Sequence, residues 1–399
     1  MERGVYADGM GWARMLGFVT VVFGLSVLLH LYVGRRLMAP FDLSPAATRV
    51  VLGALVLHAL AMPAIFLTIP ATGTWWADAA QYVGYVGMGV FSLVFVLLFF
   101  RDAGLLALDL LARVVPVEVP FDPARRAFTS QGASMFILGA AALMGGAAWV
   151  GARRRPTVET VPVPIPGLPP ALDGFRIVQI SDLHAGPSVK EDAFADIVAT
   201  INGLSADLVA VTGDLVDGSV GRLAGHVAPL AHLVSRHGTY FVTGNHEYYS
   251  GVESWCAHCE SVLGMTVLNN RHVVLDHDGA TLTVAGVTDQ RAGGMAEGHA
   301  SDPEAAFASA PASIRVLLAH QPTTAYRASR LAHLQLSGHT HAGQYFPFTW
   351  LARLVLPFAR GLHRVGTMWL YVNRGTTFWG PPMRLDAEQE ITLLELRPA

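Results

Sequence analysis

Two patterns of apolar and polar positions divide the chain. Up to about residue 150 the apolar residues come in long runs; beyond it they come in short bursts between polar loops. Four of the long runs approach the roughly 20 apolar residues that a membrane-crossing helix needs. They lie near residues 12–33, 50–69, 82–100 and 133–150, with no acidic residue or lysine in their middles. His30 and His58 are the notable polar side chains there. No paired charge accompanies them to build a relay, so each is expected to bond a neighbouring helix. The fourth run contains "GAAALMGGAA", whose small residues suit close helix packing. Residues 101–118 keep helical spacing but interpose Asp102 and Asp109, which predicts a helix lying along the membrane surface.

After Arg153–Arg155 the pattern changes. "TVETVPVPI" alternates and carries prolines, as an edge strand can, and a proline-rich connector follows. Apolar runs with β-branched residues then predict strands at "FRIVQISD", "ADLVAVTGD", "GTYFVTGN", "ATLTVAGVTD", "SIRVLLAHQ", "HLQLSGH", "MWLYV" and "EITLLEL". Between them "VKEDAFADIVATINGL", "AGHVAPLAHLVSR" and "VESWCAHCESVL" have helical spacing. Such alternation predicts a layered α/β domain with helices covering a sheet. The expected division is a transmembrane region over 1–152, a linker and edge strand over 153–171, and the α/β domain over 172–399. One stretch, "YFPFTWLARLVLPFARGLHRVG", is unusually apolar for a surface loop. It reads either as a lip touching a bilayer or lipid tail, or as a hairpin packed over the sheet; an exposed apolar patch would favour the first.

Charge adds orientation. The net charge of −3 argues against a broad nucleic-acid footprint. The loop after the first run carries Arg35, Arg36 and Arg49. The segment after the third carries Arg101, Arg113, Arg125 and Arg126, and the loop after the second has no Lys or Arg. The positive-inside rule puts the arginine-bearing segments in the cytoplasm and both ends of the four-span region outside. Arg153–Arg155 count the other way, but long domains translocate largely regardless of charge. "ARRAFTSQGASMFILGAAALMGG" resembles a twin-arginine export signal, which points the same way. The two cysteines, Cys256 and Cys259, sit on a predicted helix and read as packing residues.

The chemistry lies at the ends of predicted strands. Five clusters occur in order: Asp182 and His184 in "SDLH", Asp214 and Asp217 in "TGDLVD", Asn245, His246 and Glu247 in "TGNHE", His320 in "AHQ", and His339 and His341 in "SGHTH". Each is a weak signal alone. In α/β folds ligands bind outside the carboxyl ends of strands, so all five can converge. A spacing of two puts His339 and His341 on one face of an extended segment, and the flanking glycines let the backbone bend close to a ligand. Mixed imidazole, carboxylate and amide donors without thiolate suit Mn, Fe or Zn.

In this order the motifs resemble those of the calcineurin-like metallophosphoesterase superfamily, and "GNHEYYSG" and "GHTHAGQ" behind a membrane region resemble its membrane-anchored bacterial branch. The resemblance covers residues 175 to the end. It implies a β-sandwich flanked by helices and two divalent metal ions. Asp182, His184, Asp214 and His341 would hold the first ion, and Asp214, Asn245, His320 and His339 the second, with Asp214 bridging. A hydroxide between the ions would attack phosphorus. His246 would serve the leaving group, with Asp217 fixing its ring, and Glu247 and Tyr248 would be supporting residues. Arg374, at the end of "MWLYV", is the first choice for gripping a phosphate, with Arg384 second. The expected protein is a phosphohydrolase, phosphatase or phosphodiesterase, in the bacterial inner membrane with its catalytic domain outside. It would cleave a phosphorylated small molecule or lipid-linked substrate. A receptor or transporter with a regulatory or non-catalytic metal domain is the alternative; the absence of paired charges in the spans argues against transport.

Overall fold

The computed structural model describes residues 12–68, 74–114 and 123–399. They form two compact units: those up to Val150 with Pro381–Met383, and Gly151–Gly380 with Arg384–Ala399.

The first unit contains four helices: α1 (Trp12–Met38), α2 (Pro45–Thr68), α3 (Trp75–Val114) and α4 (Pro123–Gly151). Each contains a segment long and apolar enough to cross a membrane. Some of the polar groups inside bond one another across helices. His30 Nε2 lies 2.7 Å from His58 Nδ1, joining α1 to α2, and the Ser26 hydroxyl donates to the Ala59 carbonyl. The separate surface helix expected at 101–118 is not there. Instead α3 runs unbroken for 40 residues, about 60 Å at 1.5 Å per residue. Leu- and Ala-rich sequence continues the helix, and Asp102 does not interrupt it, because Arg36, Arg101 and the Tyr32 hydroxyl take up its carboxylate. Residues 115–118 and the side chains of Arg125 and Arg126 lie outside the described residues.

The second unit is a sandwich of two six-stranded sheets. The strands are β1 (Thr157–Ile165), β2 (Arg176–Ile180), β3 (Leu208–Val211), β4 (Thr239–Phe241), β5 (Thr266–Val267), β6 (Arg271–His277), β7 (Ala280–Gly286), β8 (Ile314–Leu318), β9 (Leu334–Ser337), β10 (Gly361–Val365), β11 (Met368–Val372) and β12 (Glu390–Pro398). One sheet has the order β1-β12-β2-β3-β4-β5, the other β10-β11-β9-β8-β7-β6. Strand β1 lies at an edge, where Pro162 and Pro164 leave the ladder intact.

Alternate residues of the central strands serve two different cores. Ile177, Leu208 and Ala210 face the space between the sheets, where they meet Val284, Val316 and Leu336. Their neighbours Val178, Ile180, Val209 and Val211 turn outward onto Phe194, Ile197 and Trp255 of the covering helices. Both faces are apolar, so these strands read as continuous runs. The covering helices are α5 (Glu191–Asn202), α6 (Val220–Val227), α7 (Asn245–Ser250) and α8 (Val252–Ser261); α9 (Pro303–Ala306), α10 (Ala325–Ala328) and α11 (Phe348–Val355) follow. Cys256 and Cys259 are α8 packing positions, as expected. The predicted helix at "AGHVAPLAHLVSR" is shorter than its pattern. At Pro229 the chain tightens into a 3₁₀ turn over Ala228–His232. The apolar stretch after Gln344 becomes α11 and the edge strand β10.

Candidate metal centre

Strands β2, β3 and β4 run parallel in one sheet, and β8 and β9 run parallel in the other. The loops after them carry all five polar clusters to one place. Asp182, His184 and His341 bring ligand atoms within 4.8 Å of one another, and so do Asp214, His320 and His339. In the first group the Nε2 atoms of His184 and His341 are 3.1 Å apart, and His341 Nε2 lies 3.4 Å from Asp182 Oδ1. In the second, His320 Nε2 lies 3.1 Å from both His339 Nδ1 and Asp214 Oδ2. Asp214 Oδ2 also reaches to 3.9 Å from His184 Nε2, which links the groups. Asn245 Oδ1 is buried with no hydrogen-bond partner. A buried amide oxygen left unpaired is costly, and a cation would satisfy it. The donor set therefore fits divalent metal.

The backbone is strained at this place. Asp182, His184, Asp214, His339 and His341 all have left-handed φ, between 44° and 71°. For non-glycine residues that costs of the order of 1–3 kcal/mol each, and such strain clusters at functional sites. The extended segment expected for His339 and His341 is therefore a turn. Strand β9 ends at Ser337, and His341–Gly343 form a 3₁₀ turn. Gly338 and Gly244 serve close approach. A Cβ on Gly338 would lie closer than 3.0 Å to Ser181 Oγ and Asp182 Oδ2, and one on Gly244 closer than 3.0 Å to Asp214 Oδ1.

The protonation directions follow from the packing. Burial acts against ionised Asp214, but His320 and His246 outweigh it and hold the carboxyl well below its ordinary range. Burial, then His320, pushes His339 down to about 4. Burial, then the Arg384 charge, pushes His341 well down. Burial also acts against charged His320, but Asp214 overcomes it and raises that histidine. His246 behaves likewise: Asp214 and Asp217 lift it to about 9 against burial.

Asp217 Oδ1 accepts from two rings, lying 2.6 Å from His246 Nδ1 and 2.9 Å from His184 Nδ1. The second contact was not legible from motif spacing. Glu247 is buried and works on the main chain. It accepts from the N–H groups of Gly244 (2.7 Å), Leu215 (2.7 Å) and Asp214 (3.0 Å), tying the loops after β3 and β4 together. Burial and the Asp214 charge push it up to about 7, against the Gly244 and Leu215 donors.

The two arginines are engaged differently. The Arg374 guanidinium is engaged by Glu390 and Glu159, so its expected phosphate contact has no support. Arg384 is the one that meets the site: it is buried and its Nη2 lies 3.1 Å from His341 Nδ1. Trp379 was not foreseen at all. Its ring lies 5.5 Å from that of His246. Gln344, from the "GHTHAGQ" motif, places it by bonding both its backbone N–H and its carbonyl.

The sequence model for calcineurin-like phosphoesterase matches residues 175–343, which includes every one of these ligand positions. A Bacillus subtilis protein called an uncharacterized metallophosphoesterase, YkuE, is 30% identical over 241 residues, covering 58% of this chain and 82% of that protein. The chain belongs to the calcineurin-like phosphoesterase family. A Bos taurus relative, "transmembrane protein with metallophosphoesterase domain", is 43% identical over 261 residues, covering 62% of this chain. That match spans 59% of the bovine protein's length. Among solved structures, a Thermus thermophilus sulfate thiohydrolase, SoxB, aligns over 57% of each chain at 16% identity, with a TM-score of 0.35. In this phosphoesterase domain Asp182 through His341 lie inside the matched segment; Trp379 and Arg384 lie beyond it.

Proposed function

We propose that this chain is a membrane-tethered hydrolase of phosphate esters or pyrophosphates, working with two divalent ions. The observation that carries the reading is the convergence of Asp182, His184 and His341 beside Asp214, His320 and His339, with Asn245 Oδ1 unpaired among them. Two such ions, when bound, neutralise phosphate charge and activate water. The protein's own residues do the rest. Asp214, whose Oδ2 lies 3.1 Å from His320 Nε2 and 3.9 Å from His184 Nε2, would contribute to both ions. Arg384 donates to the His341 carbonyl and so holds the turn that bears that ring. His246, 15% exposed at its side chain, stands at the open side and donates a proton to the leaving oxygen. Asp217 holds its Nδ1, leaving Nε2 for that task. Trp379, 41% exposed beside His246, lines the approach.

Four membrane-length helices support a substrate whose phosphate is carried by a lipid. The arginines of the segments after the first and third spans support an extracytoplasmic catalytic unit, which a reporter fused after Ala399 would test. The reaction is tested on the full chain in detergent, with metal content and turnover of chromogenic mono- and diesters read together. His246→Ala should keep both ions and lose at least 100-fold in kcat, the scale of one general acid. Asp214→Asn should lose metal itself. If both variants turned over like the parent, the reading would fall.

A further inference from the structure

Helix α11 packs the wrong way round for a water-facing helix. Its buried positions are the small Thr349 (0% exposed) and Ala352 (7%), while Trp350 (59%), Leu351 (52%), Leu354 (79%) and Val355 (64%) face outward. Leu354 to Pro357 are four exposed apolar residues in succession. In a soluble protein such a run is an error unless it serves a function. The helix lies close to the metal centre in the chain: His341 ends the ligand set, Gln344 holds Trp379, and α11 begins at Phe348.

The surrounding charge identifies the partner. Between Glu304 and Asp386 the sequence has no acidic residue. Arg353 lies within the apolar stripe, and Arg360 and Arg364 follow it; Asp386 partly engages the first two, its carboxylate bonding Arg353 and its carbonyl Arg360, and Arg364 lies over the Trp369 ring. An apolar stripe carrying a tryptophan, with arginines beside it, is the make-up of a helix that lies in the headgroup region of an anionic bilayer. A bilayer is at hand: the same chain carries four membrane-length helices, and five residues separate the end of α4 from the start of β1.

We infer that α11 is an interfacial membrane helix. It sinks Trp350, Leu351, Leu354 and Val355 into the acyl boundary of an anionic leaflet, with Arg353, Arg360 and Arg364 at the phosphates. The inference concerns where α11 rests and does not depend on what the metal centre cleaves, although it would bring that centre to headgroup level.

The test places a nitroxide on Leu351→Cys or Leu354→Cys in the full chain, with Ser254→Cys on α8 as the water-facing control. The parent, whose Cys256 is half-buried and Cys259 buried, is the blank. Collision rates with oxygen and with a water-soluble nickel chelate are read in nanodiscs containing phosphatidylglycerol and in lipid-free amphipol. In nanodiscs the oxygen-to-nickel ratio at both α11 positions should exceed the control at least fivefold, and in amphipol the excess should shrink. Labels as open to nickel as Ser254→Cys in nanodiscs would overturn the inference. So would shielding that persists in amphipol together with a doubled particle mass, which would mean a second copy covers the face. Because no turnover is measured, an inactive protein leaves this result unaffected.

Discussion

Glu247→Gln separates holding a metal loop from doing chemistry. The carboxylate accepts three main-chain N–H groups and is fully buried, so it cannot touch substrate. Glutamine is nearly isosteric but can present one oxygen only. Its best rotamer keeps that oxygen on Asp214 and Gly244 and points its NH₂ at the Leu215 N–H. One charge-assisted bond is lost, about 1.5–3 kcal/mol, and two facing donors are left unpaired, about 1–3 kcal/mol each. Removing a buried negative charge beside Asp214 gives some of this back. A net of about 2–3 kcal/mol remains, and it falls on the loop that holds Asp214 at φ 53°. Expressed in metal binding, that is roughly 30- to 150-fold in Kd, at 1.4 kcal/mol per decade. The assay is calorimetric titration of chelator-stripped full chain with Mn²⁺, alongside far-UV circular dichroism to show that the fold is retained. Wild-type affinity with lost turnover would refute the argument, because Glu247 would then be a chemical group and not a brace.

Four further outcomes are expected. Metal uptake should release protons and strengthen as pH rises. His320 is raised by Asp214 in the metal-free protein and must give up its proton to bind; calorimetry in buffers of different ionisation enthalpy counts that proton. Gly338→Ala should abolish metal binding while leaving the sandwich folded, since its Cβ would collide with Ser181 and Asp182; elemental analysis with circular dichroism reads both. Arg374→Ala should lower stability by about 2–4 kcal/mol by stranding the buried Glu390 carboxylate. Its KM for a phosphodiester should be unchanged, which distinguishes a structural arginine from a phosphate grip. Cys256 is pushed up to about 11 by burial and Cys259 also rises, so neither should be alkylated by iodoacetamide at pH 8 until the protein is denatured.

How much of this was legible depended on how local the signal was. The strands at β2, β3, β4, β8 and β9 announce themselves because both faces are buried and the runs are continuously apolar. The ligands follow because each stands just after such a run. Strand β6 was missed: its exposed and half-buried residues alternate weakly, and its place is set by pairing with β7. The roles of Arg374 and Arg384 could not be ranked from sequence. Both are arginines in one loop region, and the difference lies in Glu159 and Glu390 for one and His341 for the other. Glu159 is 215 residues away from Arg374 in the chain. Trp379 is illegible for the same reason, since Gln344, which holds its backbone, is 35 residues away in the chain.

The left-handed ligands explain why the surrounding residues are what they are. Five strained residues would unfold locally unless their loops were tied down, and each loop has its own tie. Glu247 clamps Asp214 to Gly244. The Asp182 carboxylate accepts the His339 N–H, so one ligand fixes the turn that bears another. Thr377 binds the carbonyls of Asp182 and Leu183 through its hydroxyl, and Arg384 binds the carbonyl of His341. These ties leave the donor atoms converged before any ion arrives, and preorganised geometry is what a charged transition state requires. Thr377 and Arg384 contribute through position alone, and both lie past the residue at which the family match ends. The loop after β11 is therefore part of the candidate metal centre's framework, and the same loop carries Trp379 to the partly exposed side of His246.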